Sequence, residues 1–231
     1  MFSRLFNPLL DLFLPTRCLI CGRFDSWWCL VCQRKALIPQ NPRCIVCNKA
    51  SITGAAHADC RTRNTVDGLL AAGEFWQLKD LVHTYKYEFV QGLAPLLADL
   101  ISRFLVVRKL EEFVSGSILV PVPLHKKRLR FRGFNQSELL TLEISKLSGS
   151  KIALGAIERK RYTTPQIELA REHRMQNIND AFICVKPDIV KNQRVILIDD
   201  VATTGATLNE CARVLKRAGA TTVWALVLAH D

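Results

Sequence analysis

The stretch Val195-Ile196-Leu197-Ile198-Asp199-Asp200-Val201-Ala202-Thr203-Thr204-Gly205-Ala206-Thr207-Leu208 constrains the fold of this chain more than any other. Four consecutive apolar residues, mostly β-branched, read as a strand buried on both faces, and from Thr207 onward the periodicity is helical. The acidic pair and the Thr/Gly turn are therefore expected between a strand and a helix. In an open α/β sheet such a junction lies at the carboxyl ends of the strands, where N–H groups of the turn and of the helix N-terminus converge on an anion. Gly205 lets the backbone close around phosphate oxygens, and Thr203, Thr204 and Thr207 supply hydroxyl donors. Ionised Asp199 and Asp200 only accept hydrogen bonds and would repel a phosphate placed on them, so their natural partners are sugar hydroxyls a few ångströms away. The chemistry asks for a phosphorylated pentose. The competing reading is a plain strand-turn-helix whose Asp and Thr only cap the helix; two acids and three threonines in one short turn weigh against it.

Seven of the nine cysteines lie between positions 18 and 60, and six of them form Cys-x-x-Cys pairs: Cys18/Cys21, Cys29/Cys32 and Cys44/Cys47. Two such knuckles complete one tetrahedral metal site. The fourth pair is irregular, because Arg63 stands where the partner of Cys60 is expected, while His57 precedes Cys60 by three residues. The assignment is Cys18, Cys21, Cys29 and Cys32 for one structural zinc ion, and Cys44, Cys47, Cys60 with His57 for a second. An interleaved pairing and a bystander role for His57 stay open. Disulfides are the alternative, and a chain without a secretory signal, expected to be cytoplasmic, disfavours them. The remaining thiols, Cys184 in an apolar strand and Cys211 on the apolar face of a helix, read as buried small hydrophobes.

At 231 residues the chain has room for one α/β domain plus something smaller. The expected division is 1–65, a docking segment with the cysteine module, and 66–231, the α/β domain. Phe2 to Leu14 is interrupted by Arg4, Asn7, Pro8 and Asp11, and nothing approaches the roughly 20 apolar residues of a membrane span. It reads as a docking segment, with contact to a membrane surface the lesser alternative. The net charge of +11 favours polyanionic partners, nucleic acid or a pyrophosphate-rich substrate. Residues 1–65 carry nine Lys/Arg against three Asp, with Trp27 and Trp28 among them. Stacking plus phosphate attraction would suit single-stranded nucleic acid; tryptophans that pack the module against the larger domain are the bland alternative.

Beyond residue 66 the pattern alternates: Leu69–Phe75 as a strand, Leu78–Tyr87 and Ala94–Val107 as helices, Ser117–Val122 and Val223–Ala229 as buried strands. Pro121 and Pro123 end the Ser117–Val122 strand abruptly. The cations Lys126, Lys127, Arg128, Arg130 and Arg132, up to Gly133, are expected on an exposed loop before a helix near Asn135, a place for a second phosphate group. A solvated charge run is the ordinary alternative. The run from Arg159 to Gln166 reads either as a surface hairpin or as a mobile cover.

The acid-threonine junction resembles the PRPP-binding motif of type I phosphoribosyltransferases. Together with Val120-Pro121-Val122-Pro123-Leu124, Arg132-Gly133-Phe134-Asn135-Gln136, Lys86 between Tyr85 and Tyr87, Arg161 with Thr164 and Gln166, and Arg174, Asn177, Ala181 and Phe182, it is similar to the ComF family, including ComFC and GntX proteins. That resemblance spans nearly the whole chain. It implies a mostly parallel sheet flanked by helices, with a flexible hood, preceded by a double zinc ribbon. It also implies 5-phosphoribosyl 1-diphosphate (PRPP) bound with Mg²⁺. Asp199 and Asp200 would hold the sugar, Thr203, Thr204, Gly205, Ala206 and Thr207 the 5′-phosphate, and Lys86, Arg128, Arg132 and Gly133 the pyrophosphate side. Arg161 would act from the hood, and the Pro123–Gly133 segment would turn tightly, with a non-proline cis bond as one form of that turn.

The resemblance implies two alternative functions: a PRPP-binding protein of DNA uptake and natural transformation that handles incoming single-stranded DNA, or a phosphoribosyltransferase of nucleotide metabolism with an unknown acceptor. A DNA-uptake helicase as partner belongs to the first picture, and the resemblance to type I phosphoribosyltransferases implies a homodimer. No acceptor site is evident, since the sequence stops directly after its last strand. No amino-terminal cysteine nucleophile is present, which disfavours a glutamine-dependent amidotransferase.

Overall fold

A computed structural model describes residues 17–24, 26–36, 41–87, 91–160 and 180–230. The elements in chain order are α1 (Leu30–Ala36), β1 (Gly68–Glu74), α2 (Phe75–Tyr87), α3 (Ala94–Arg108), α4 (Glu111–Ser115), β2 (Ile118–Pro121), α5 (Lys126–Arg132) and α6 (Gln136–Ser148). They continue with β3 (Lys151–Ile152), β4 (Ile157–Arg159), β5 (Phe182–Cys184), α7 (Pro187–Val190), β6 (Arg194–Ala202), α8 (Ala206–Arg217) and β7 (Thr222–His230).

Five strands form one sheet in the order β1-β7-β6-β2-β3, and every pairing in it is parallel. Parallel strands need crossovers that cover both faces, so the central strands carry apolar residues without alternation. The two faces separate cleanly. Ile196 and Ile198 of β6 join a core with Leu81 and Tyr85 of α2, Leu97 and Ile101 of α3, and Leu140 and Ile144 of α6. Val195 and Leu197 join another with Leu208, Cys211 and Leu215 of α8. Fully covered faces explain why Val-Ile-Leu-Ile is legible as a buried strand.

The acidic pair does not lie beyond the strand. β6 runs through Asp199 and Asp200 to Ala202, with Asp199 opposite Val227 and Ala202 opposite His230 of β7. The long partner strand keeps the ladder intact past the acids, so only Thr203 to Gly205 remain as a turn. Consecutive residues of a strand alternate between faces, yet at the carboxyl end of β6 both carboxylates line one space.

The cationic run is likewise not a loop. Lys126–Arg132 is a short helix whose N-cap His125 accepts from the Lys127 amide at 3.2 Å, and whose C-cap Gly133 is left-handed at φ +75°. Lys, Arg and Leu are good helix formers, and the caps supply both ends. The described residues contain no cis peptide bond, so the tight turn expected after Pro123 is made by this helix start instead.

β4 and β5 pair antiparallel, with Arg159 opposite Phe182. The expected cover residues Arg161, Thr164 and Gln166 lie outside the described residues, as do Arg174, Asn177 and the Phe2–Leu14 segment. Cys211 is fully buried as expected, but Cys184 is only half-buried at the end of short β5.

The amino-terminal module covers the open edge of the sheet. Gly54 accepts a hydrogen bond from the Leu69 amide at 2.9 Å, Ala56 donates to the Asp67 carbonyl at 2.8 Å, and Ala55 bridges Gly68. Such cover blunts an edge strand that would otherwise invite pairing with other chains. Gly68 is required by close packing: a Cβ there would sit 2.2 Å from the Trp224 ring, which meets Phe113 edge-on at 5.1 Å. Gly68→Ala is expected to cost about 1–3 kcal/mol, read as a lower urea midpoint at unchanged slope; a midpoint equal to wild type would contradict this packing.

Candidate functional site

β6 delivers Asp199 and Asp200 into a cavity of about 880 Å³ whose lining includes Lys86 and Tyr87 of α2, Arg128, Phe131 and Arg132 of α5, Ser137, Arg159, and the whole Thr203–Thr207 turn. The structure thus brings Asp199, Asp200, Thr203, Thr204, Gly205, Ala206, Thr207, Lys86, Arg128 and Arg132 around one space. Gly133 is not part of the lining; it closes α5 from behind.

Each acid has a different partner. Lys86 Nζ lies 2.8 Å from Asp200 Oδ1. Asp199 Oδ1 accepts from Ser137 Oγ and from the Asp200 amide, both at 2.9 Å. Burial, and then repulsion from Asp200, push the Asp199 carboxyl up to about 7, against the pull of Lys86 and Ser137. Two carboxylates side by side behind protein walls cannot both ionise freely.

Lys86 is aimed by a chain of buried polar contacts for which the sequence carries no local signal. Tyr85 Oη donates to the Gln136 carbonyl at 2.8 Å, and Gln136 Nε2 donates to the Lys86 carbonyl at 3.4 Å. Gln136 Oε1 also accepts from Arg132 Nη1 at 3.1 Å, while the Arg132 guanidinium stands 5.1 Å from the Tyr87 ring centre. Asn135 caps α6 through the Ser137 amide and donates to the Val122 carbonyl at the end of β2. The Arg132-Gly133-Phe134-Asn135-Gln136 run is therefore mostly a joint. It fixes the starts and ends of α2, α5, α6 and β2 relative to one another, and two of its side chains reach the cavity lining.

Ser137 and Arg159 are polar lining residues whose role the sequence left unassigned. Ser137 carries no motif signal beyond following the Asn135 cap. Arg159 was visible only as part of a basic run; burial, and then the nearby Arg128 charge, push its ionisation down.

The turn itself is built for close approach. Gly205 is left-handed at φ +72° and begins α8, with Thr204 Oγ1 accepting from the Ala206 amide at 3.4 Å. The first residues of this twelve-residue helix line the same space as the acids, at the end where helix amides are left without intrahelical partners.

The eight predicted metal ligands fall into two separate groups, Cys18/Cys21/Cys29/Cys32 and Cys44/Cys47/His57/Cys60, each with its ligand atoms within 4.8 Å of one another. The pairing is sequential, not interleaved. A tetrahedral zinc with Zn–S of about 2.3 Å sets ligand sulfurs roughly 3.8 Å apart, and Cys21 Sγ and Cys29 Sγ are 3.7 Å apart. His57 presents Nδ1 to Cys47 Sγ at 3.3 Å while Nε2 lies 3.0 Å from the Ala50 carbonyl. A histidine metal ligand characteristically donates its other ring nitrogen to such an acceptor. Burial raises the Cys18 and Cys44 thiols, but amide hydrogen bonds from each knuckle, from Cys29 and Cys47 first, more than offset this and bring both down to about 6. Both groups could hold zinc. Trp28, only 1% exposed, packs into the core beside Cys18, Cys29 and Cys32. It is thus an anchor of the module and not a stacking surface.

The carboxyl-terminal part of the chain, residues 137–231, matches the family model described as phosphoribosyl transferase domain. The parallel sheet and the acid-threonine junction are those of that class. Among curated proteins, Competence protein F of Haemophilus influenzae is 30% identical over 210 residues, covering 87% of this chain and 90% of its own length. DNA utilization protein YhgH of Escherichia coli K12 is 34% identical over 152 residues, 64% of this chain and 66% of that protein. Competence protein ComFC of Bacillus subtilis is 28% identical over 207 residues, 84% of this chain and 80% of that protein. This chain belongs to the ComF family. No helix among the described residues is long and apolar enough to cross a membrane.

Two measurements test these sites. Titration with a mercurial is expected to release two equivalents of zinc from wild type and one tightly held equivalent from Cys47→Ser; a single equivalent from wild type would remove the second group. For Asp199, a folded-state value raised from the ordinary 3.8 to about 7 means folding binds a proton, so the stability it lends is present below about pH 4 and lost as pH rises through about 7. Asp199→Asn is therefore expected to gain on wild type as pH rises from about 5.5 to about 8, by about 3 °C or more in Tm. A difference that shrinks with pH would contradict the buried, proton-retaining carboxyl.

Proposed function

We propose that this protein binds PRPP with Mg²⁺ in the cavity at the carboxyl end of β6, and that it serves the uptake and use of DNA in the cytoplasm. The observation that carries the first part is the convergence of two carboxylates, the Thr203–Thr207 turn and the α2 and α5 cations on one space. Asp199 and Asp200 accept hydrogen bonds from the ribose 2′ and 3′ hydroxyls, and the turn's amides and threonine hydroxyls hold the 5′-phosphate. Lys86, Arg128 and Arg132 face the pyrophosphate, with Arg159 behind them and Arg161 supplied by the cover segment; Gly133 allows α5 to end where it does. Lys86 has two roles in sequence. It neutralises Asp200 while no sugar is bound, and passes to pyrophosphate oxygens when hydroxyls take its place on the carboxylate.

Mg²⁺ would be held with the ligand beside Asp199 and Asp200, where it would supply positive charge that disperses the pyrophosphate charge. Transfer of phosphoribose breaks the C1–O bond, pyrophosphate leaving with the electron pair, through an oxocarbenium-like state. The residues named stabilise the departing charge and hold the sugar; the acceptor is the missing reactant. The DNA role draws on the relatives named for competence and DNA utilisation. The basic charge of +11 suits single-stranded DNA, with a helicase partner and a homodimer as the assembly in which it is handled.

Calorimetric titration of Mg-PRPP is expected to show binding by wild type and roughly 100-fold weaker binding by Asp199→Asn/Asp200→Asn, the loss of several charge-assisted hydrogen bonds. Equal affinities would overturn the site. Pyrophosphate release from bound PRPP in the presence of free bases or single-stranded DNA marks transfer; tight binding without release under either condition makes this a PRPP-responsive binding protein.

A further inference from the structure

The second metal group and the phosphate turn touch. Ile45 lies between the thiols of Cys44 and Cys47, is 6% exposed, and belongs to the same core as Leu208 of α8. A Cβ on Gly205 would sit 2.5 Å from Ile45 Cγ1 and 3.1 Å from Cδ1. The side chain of the knuckle thus fills the space that the left-handed glycine of the turn leaves open. The backbone around Ile45 is held by the knuckle: the Asn48 amide donates to the Cys44 carbonyl at 2.8 Å and the Cys44 amide to the Lys49 carbonyl at 2.9 Å.

The same module also grips the far end of α8. Lys216 Nζ donates to the Thr62 and Thr65 carbonyls and to Asp67 Oδ1 at 3.1, 2.7 and 2.8 Å. Asn209 Oδ1 accepts from the Val66 amide at 3.0 Å, and Thr65 Oγ1 donates to the Cys60 carbonyl at 3.1 Å. The helix that begins at the phosphate turn is therefore braced at both ends by the segment that supplies Cys44, Cys47, His57 and Cys60. The first group attaches elsewhere; Cys18, Cys29 and Cys32 pack with Trp28 into the core on the other face of the sheet.

We propose that Ile45 is a positioning residue for the Thr203–Thr207 turn, so that zinc at Cys44/Cys47/His57/Cys60 and a phosphoribosyl ligand on the turn bind cooperatively. This rests on the reading of that turn as the 5′-phosphate site. Four donor groups converging on one ion fix the knuckle, and the knuckle fixes Ile45 against Gly205. Without the ion, thiol and imidazole lose their common tether, and part of the ordering entropy of the turn must then come out of ligand binding. Coupling of this kind is reciprocal: whatever zinc does for the ligand, the ligand does for zinc.

The test uses the full zinc-loaded chain and follows zinc transfer to a chromophoric chelator with and without Mg-PRPP, the second ion being identified as the one missing from Cys47→Ser. Mg-PRPP is expected to slow release of the second ion about 5-fold or more, the lower range of measured couplings, and to leave the first unchanged. Ile45→Ala is expected to keep two zinc ions, to bind Mg-PRPP about 5-fold or more weakly, and to lose the protection, with Ile45→Val restoring most of both. Wild type that binds Mg-PRPP while both release rates stay the same overturns the coupling but leaves the ligand site standing. So does protection of the first ion alone. Wild type that binds no Mg-PRPP removes the ligand reading and the coupling with it. The wild-type measurement decides the matter even where Ile45→Ala fails to fold.

Discussion

The contact on which the site depends is the one between Lys86 and Asp200. A carboxylate buried at the end of a central strand is costly unless a cation or hydrogen-bond donors attend it, and Asp199 one residue away makes the cost larger. Lys86 meets this need at 2.8 Å, and Ser137 attends the other acid at 2.9 Å. Both attendants come from the ends of helices that cover the same face of the sheet. Their placement is secured by Tyr85, Gln136 and Asn135, all buried and all hydrogen-bonded to backbone at the ends of neighbouring elements. The packing of α2, α5 and α6 is thus tied to the electrostatics of two residues in β6. The cation that stabilises Asp200 is itself part of the cavity lining.

Much of this was legible in the sequence because the physics was local. A strand covered on both faces writes itself as an unbroken apolar run, and Val195–Ile198 did so. Cys-x-x-Cys spacing encodes a knuckle whatever surrounds it, so the two metal groups could be named before their geometry was known. The Thr203–Thr207 turn is local too, since Gly205 and its threonines sit within five residues. The orientation of His57 also rests on a short-range feature, the Ala50 carbonyl at its outer nitrogen.

What was not legible depends on partners far along the chain. The acids ride on β6 because β7 is long enough to pair with them, a fact that lies in residues 227 to 230. The cationic stretch reads as a loop by charge, whereas its Lys, Arg and Leu content and the His125 and Gly133 caps make it a helix. Charge patterning signals exposure, and exposed segments can be helical. Trp28 illustrates the same limit: basic neighbours suggest a stacking surface, and only the core beside Cys18 and Leu70 shows it is an anchor.

The two metal groups divide their attachments between the faces of one sheet. The first, with Trp28, joins the core under α2, α3 and α6; the second, through Ile45 and Val66, joins the core under α8. Between them the backbone at Gly54 and Ala56 closes the β1 edge. A module this small cannot bury enough apolar surface to hold its own shape, and metal ligation at its two cysteine groups would supply the missing order. Once ordered, it is placed to act on the larger domain, because each face it touches leads to a different part of the site: α2 carries Lys86, and α8 begins at the Thr203–Thr207 turn. The position of the cysteines at the front of the sequence therefore hides their position in the molecule, at the edge where both walls of the cavity can be reached.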